Sequence, residues 1–407
     1  MTFASTPHAP TADRPARTST AAAAGTRDIR LDFFRGIAMF IILIAHIPFN
    51  RLSNYIPARY GWSDAAEIFV FCSGMASALA FGKIFVTRGW GMGVARVAHR
   101  IWQVYWAHIG LFMTVAATKV AIDLSGIWQT YGGFEKNFVG SMGITRFFTD
   151  TQEALVGLLT LTYVPNYFDI LPMYLVILAM IPLVMGLARV HPALAIGTCV
   201  AIWATAQTGA LDLPAEPWGD RPWFFNPFGW QLIFFTGFAF MRGWLPKPPV
   251  TTWLIAVAVV FLVVSVPFGR WQIWTQVPWI EAWRDANTVL FGKTEEGILR
   301  YLHFLALAYL AWAAAGEGGS RLMTDGQSLA ARIWNTARKL ILKVGQQSLA
   351  VFIFSMWFAQ MLGFVLDFTP SRGWLPTLAV NFVGMATIIG VAYLAAWFKS
   401  SPWRAPR

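Results

Sequence analysis

Asp32-Phe33-Phe34-Arg35-Gly36-Ile37-Ala38-Met39-Phe40-Ile41-Ile42-Leu43-Ile44-Ala45-His46 decides how this chain is read. It is an apolar run with an arginine near one end and a histidine at the other. The separation is close to three helical turns, so both side chains fall on one face, roughly 16 Å apart, about half a bilayer core. An ionisable group inside a membrane span is costly and marks a functional position. Two on one face outline a path across half a membrane.

The rest of the chain supports a membrane setting. Apolar residues make up 57% of the 407 and charged residues 13%, against about 25% charged in a soluble domain; the mean hydropathy is +0.53. Apolar runs predict ten transmembrane helices, at residues 29–48, 64–83, 98–121, 169–188, 193–210, 228–242, 250–268, 300–315, 346–366 and 376–397. The fold class is therefore all-α and polytopic. Residues 154–165 form a further apolar run, too short to span and read as re-entrant or interfacial. With the N-terminus inside, 19 of the 31 Lys and Arg residues and 5 of the 20 acids fall on the inner side. That excess agrees with ten spans and both termini in the cytoplasm. The net charge of +11 is thus mostly topology and implies no nucleic-acid partner.

Residues 1–27, rich in Ala, Thr, Pro and Arg, read as a disordered cytoplasmic tail, not a cleaved signal. Residues 28–398 read as one membrane domain, and 399–407 as a second cytoplasmic tail. Cys72 and Cys199 lie in apolar spans, with no disulfide framework and no metal-ligand spacing. No internal repeat or nucleotide-binding loop is present.

Polar groups from distant segments share an outer depth: His46, Glu67, Asp169, Asn226, Gln231, Arg300 and His303. Their convergence on one cavity is an expectation. A histidine beside a carboxylate at an outer mouth suits general-base chemistry, which favours His46 with Glu67 as the catalytic pair. At the inner depth, Arg96 and Arg100 share a helix face with His99 near them, and Arg35 lies deeper; such cations suit a phosphorylated ligand. Each position also has a plain structural reading. Arg96 and Arg100 serve as inner anchors, His303 as a helix–helix hydrogen-bond partner, Asp169 as a helix cap, and Arg35 as the partner of Asp32; the outer-loop tryptophans Trp218, Trp223, Trp271, Trp274, Trp279 and Trp283, candidates to stack on sugar rings, serve equally as an interfacial belt.

Arg35 and His46, with Glu67-Ile68-Phe69-Val70-Phe71-Cys72-Ser73-Gly74, resemble the signature of the type-3 membrane acyltransferase superfamily. The acid of that segment is commonly Asp there and is Glu here. Arg96 and Arg100 match in position, with a different spacing. Within the superfamily the chain resembles the OpgC branch, proteins that succinylate osmoregulated periplasmic glucans. The stretches that carry this are Leu31-Asp32-Phe33-Phe34-Arg35-Gly36, His46-Ile47-Pro48, Leu171-Pro172-Met173-Tyr174, Asn226-Pro227-Phe228-Gly229-Trp230-Gln231, His303-Phe304-Leu305-Ala306-Leu307 and Gly345-Gln346-Gln347-Ser348-Leu349.

The resemblance implies a multi-pass inner-membrane O-acyltransferase with no tightly bound cofactor. It would take an acyl group, expected to be succinyl, from cytoplasmic acyl-CoA as co-substrate to hydroxyls of a periplasmic glucan. Arg35, Arg96 and Arg100 would hold the coenzyme A phosphates or pantetheine arm. His46 would be the general base or carry the acyl group, with Glu67 orienting it. Asp169, Asn226 and His303 would bind the acceptor or the thioester carbonyl. Arg51, Arg59 and Arg300 are the candidates for the succinyl carboxylate. Acetyl transfer to another envelope polysaccharide or glycolipid, a transporter and a glucan-handling scaffold remain as alternatives. The oligomeric state stays open.

Overall fold

The computed structural model describes residues 28–133, 135–369 and 373–404. The tail at 1–27 and the end of the second tail, 405–407, lie outside the described residues. Each of the ten apolar segments is a helix. Seven helices are long and apolar enough to cross a membrane: Ala65–Thr87, Trp90–Ser125, Ile170–Val190, Thr252–Gly269, Ile298–Ala315, Ser348–Asp367 and Trp374–Lys399. The other three differ for visible reasons. Ile29–His46 carries Arg30, Asp32 and Arg35, while Pro192–Ala206 and Pro227–Arg242 have only 15 and 16 residues. Among the described residues there is no strand, only an isolated bridge between Pro214 and Pro222.

Local sequence sets the boundaries. Trp90–Ser125 runs 36 residues between Gly89 at φ 83° and Gly126 at φ 59°. Gly126 takes the left-handed conformation that closes a helix. Pro192 stands at the first position of its helix, where its missing N–H costs nothing. Asn226 caps the helix that starts at Pro227, its side chain accepting from Phe228 N. The run at 154–165 is mostly the short helix Thr151–Thr160. Ala154 and Leu158 are buried, whereas Leu155, Val156 and Leu159 face outward.

Two reciprocal glycine contacts seat helices close together. A Cβ at Gly74 would meet the Phe234 carbonyl, and one at Gly237 would meet the Phe71 carbonyl. Ala65–Ser77 and Pro227–Arg242 therefore approach backbone to backbone, the small-residue packing that membrane helices favour. Likewise, a Cβ at Gly36 would meet the Ile341 carbonyl, and one at Gly345 the Asp32 carbonyl. This second pair joins Ile29–His46 to Leu329–Gln346, a helix that lies between the predicted spans at 300–315 and 346–366. Its apolar face packs on Phe33 and Ile37 through Ile341 and Leu342, and its opposite face carries Arg332 and Lys339.

Around these contacts lies one large apolar core containing Phe112, Trp230, Phe234, Phe238 and Phe352. Thr252–Gly269 packs on Ile298–Ala315 with one side and leaves the other open. Val257, Val260, Val263 and Val264 are exposed and have no protein cover, as on a lipid-facing helix.

Candidate active site

His46 is the last residue of its helix, and Pro48 stands just beyond it. Its ring turns back on the helix, with Nδ1 2.7 Å from the Ile42 carbonyl. A carbonyl only accepts, so Nδ1 carries the proton and Nε2 keeps its lone pair. This places a base-competent nitrogen on a rigid helix end. Tyr167 packs edge-on against the imidazole, with ring centroids 5.4 Å apart. The Tyr167 hydroxyl donates to the Met356 carbonyl. Its backbone sits at φ 90°, a strained conformation for a non-glycine residue that is held by this packing.

His46 and Tyr167 line two cavities. One, of about 340 Å³, is also lined by Asp64, Asp169, Lys293, Asn166, Phe224 and Phe225. The other, of about 370 Å³, is lined by Lys119, Lys136, Asp367, Phe138, Ser141 and Gln360. The first joins two carboxylates and a lysine to aromatic rings. Lys293 Nζ is 2.6 Å from Asp64 Oδ2. Asp169 has no such partner: its residue is 4% exposed and Oδ2 has no hydrogen bond. Although Asp169 precedes the Ile170 helix, its side chain makes no capping bond. The bland expectation of a cap therefore gives way to a carboxylate in the His46 cavity.

Glu67 is placed differently from its expected role. The His46 partner is the Ile42 carbonyl, and Glu67 is fully buried in another network. One oxygen accepts from Asp64 N at 2.7 Å, completing a capping box, and the other pairs with Arg300 Nε. Arg300 also meets Asp64 at 3.2 Å and Glu296 at 3.6 Å. Arg300 is thus engaged by three acids, and Glu67 ties the second span to the Ile298–Ala315 helix. Glu296 lies just before that helix. Burial, reinforced by the charge of Glu67, pushes its carboxyl well above the ordinary range, while Arg300 opposes the shift.

The remaining predicted residues fall into separate places. Arg35 is buried and donates to the Gly345 and Cys72 carbonyls, with Asp32 at 4.0 Å. It clamps three helices together. Arg96 is exposed on the long helix, and Arg100 bonds Gln103 at 3.3 Å. Asn226 is spent on structure, accepting from Phe228 N and donating to Asp212. His303 Nδ1 lies 2.7 Å from the Ser63 hydroxyl, and its ring packs on Trp62. Arg51 and Arg59 lie on the loop after His46. Of the polar residues expected to converge, His46 and Asp169 share the cavity.

Sequence reasoning missed Asp64, Lys293, Tyr167 and Lys119. Asp64 followed three residues later by Glu67 is a capping-box signature that points to Asp64 as a helix boundary. Lys119 inside an apolar span was a signal by itself. Lys293 and Tyr167 sit in loops and carry no comparable mark. Among the described residues, no group of three His, Cys, Asp or Glu side chains is gathered for a metal.

No curated protein and no solved structure matches this chain. A family model does, described as OpgC protein and matching residues 27–400. That span takes in both glycine contacts, both cavities and every site residue above, and the chain belongs to the OpgC protein family.

Proposed function

We propose that this protein is a transmembrane O-acyltransferase of the cytoplasmic membrane, with ten spans and both termini inside. It moves succinyl from cytoplasmic acyl-CoA to hydroxyls of a periplasmic glucan. Membership of the OpgC family supports acyl transfer to glucans. The observation that carries the chemistry is His46: Nδ1 is held by the Ile42 carbonyl, which leaves Nε2 as a base beside two cavities.

In this reading an acceptor hydroxyl enters the cavity lined by Asp64 and Asp169. Its oxygen attacks the thioester carbonyl while His46 Nε2 takes its proton. The carbon–sulfur bond then breaks, and the leaving thiolate recovers that proton from the imidazolium. Phe224 and Phe225 offer faces for sugar rings, and the free Asp169 oxygen offers an acceptor for a sugar hydroxyl. Arg96 and Arg100 are accessible for coenzyme A phosphates, whereas Arg35 acts by holding the helices that frame the path.

The test uses purified protein in liposomes, with labelled succinyl-CoA on the inner-face side and glucan outside. Labelled glucan is expected from the unaltered protein and not from His46→Ala. Equal labelling from both removes His46 from the chemistry.

A further inference from the structure

The two cavities that meet at His46 carry opposite charge. The first is lined by Asp64 and Asp169 against Lys293, and the second by Lys119 and Lys136 against Asp367. In the second, Lys136 takes the available acid, with Nζ 2.5 Å from Asp367 Oδ2. Lys119 then stands apart. It is 3% exposed, yet among the described residues it makes no hydrogen bond or ion pair; the Phe138 ring lies 5.5 Å from Nζ, and Asp367 and Asp123 act on it only through space. The acid one helical turn onward, Asp123, is already spent: its two oxygens accept from Phe138 N and Val139 N, each at 2.9 Å.

A buried ammonium without an anion is costly, and one placed within a membrane helix marks a ligand path. Here the ammonium faces a cavity whose wall includes His46. We infer that Lys119 receives the free carboxylate of a dicarboxylic acyl group brought to His46, which makes it the residue that selects a charged acyl donor over a neutral one. The inference rests on the acyltransferase reading and adds the residue that recognises the charged end of the acyl group. A neutral acyl group of similar length leaves Lys119 unpaired, and an unpaired polar group in the site is the stronger source of discrimination. Arg300, engaged by Glu67, Asp64 and Glu296, is not available for that task. The charge signs also divide the substrates: the acid-lined cavity suits sugar hydroxyls and repels an anionic acyl tail.

Two measurements on Lys119→Gln and Lys119→Met, compared with the unaltered protein in nanodiscs, test this. The first is kcat/KM for succinyl-CoA and for acetyl-CoA with the same neutral glucan. Loss of one charge-assisted contact is expected to lower the succinyl value by about tenfold or more and the acetyl value by less than about threefold. The second is equilibrium binding of monomethyl succinate and of its neutral dimethyl ester, which needs no turnover. The unaltered protein is expected to prefer the anion, and both variants to lose that preference. An unchanged succinyl-to-acetyl ratio overturns the assignment whatever the binding shows, and so does binding without preference by the unaltered protein. If no thioester is turned over but the anion preference depends on Lys119, the acyltransferase reading fails and the anion site stands.

Discussion

Replacing Arg300 by methionine removes the cation that three carboxylates share. In the folded protein, Asp64, Glu67 and Glu296 meet Arg300 and Lys293, so three acids face two cations. Arg300→Met leaves three acids and Lys293, with Glu67 and Glu296 both 0% exposed. Breaking a buried pair from one side costs about 3–5 kcal/mol, because the surviving charge stays buried. Glu67→Gln is milder. It leaves two acids and two cations, and the amide oxygen still accepts from Asp64 N or Arg300, so about 1–2 kcal/mol is expected. The assay is unfolding in detergent micelles followed by tryptophan fluorescence.

The cost of Arg300→Met also depends on pH. The folded-state Glu296 carboxyl already lies well above its ordinary range through burial and Glu67, with Arg300 opposing. Removing Arg300 raises it further. An acid raised in the folded state binds more protons folded than unfolded, so its contribution to stability falls as pH rises from the ordinary carboxylate range through the folded value. The Arg300→Met deficit is therefore no smaller near about pH 8 than near about pH 5, and it grows once the pH passes the folded value of Glu296 in the unaltered protein. A loss under about 1 kcal/mol at both pH values, or Glu67→Gln costing more than Arg300→Met, refutes the shared-cation argument. Glu67→Gln that keeps full stability but loses transfer returns Glu67 to the chemistry.

Other expectations follow from local geometry. Gly345→Ala places a methyl on the Asp32 carbonyl and lowers stability by about 1–3 kcal/mol. Gly390→Ala, where nothing lies within 4 Å of the added Cβ, is neutral or stabilising in the same unfolding assay. Asp169→Asn keeps the shape of the cavity wall and changes unfolding by less than about 1 kcal/mol. If Asp169 binds the acceptor, the glucan KM rises about tenfold while acyl-CoA KM holds.

The positions of the helices were legible because apolar length is a local property. A run such as 250–268 has few stable forms in a bilayer other than a helix. The helix Leu329–Gln346 escaped the reading because its apolar residues occupy only one face, so its charges made it look like a loop. His46 and Asp169 were legible as polar groups at a common depth, and the structure puts them on one cavity. Glu67 shared that depth but not that direction. A helix residue's depth follows from its number, whereas the side it faces depends on which helix packs there. Asp64 and Lys293 come together from distant parts of the chain, which no spacing announces.

By itself, then, the sequence determined an all-helical chain rich in membrane-length segments, its resemblance to the OpgC family and the choice of His46, because hydropathy and motif order need no knowledge of neighbours. Only the tertiary structure decided that the Ile42 carbonyl sets the His46 ring, that Arg300 engages Glu67, and that Lys119 faces the second cavity outside any ion pair while Lys136 holds Asp367. Those are contacts between groups far apart in the chain or matters of side-chain direction, and neither follows from a residue's depth along its own helix.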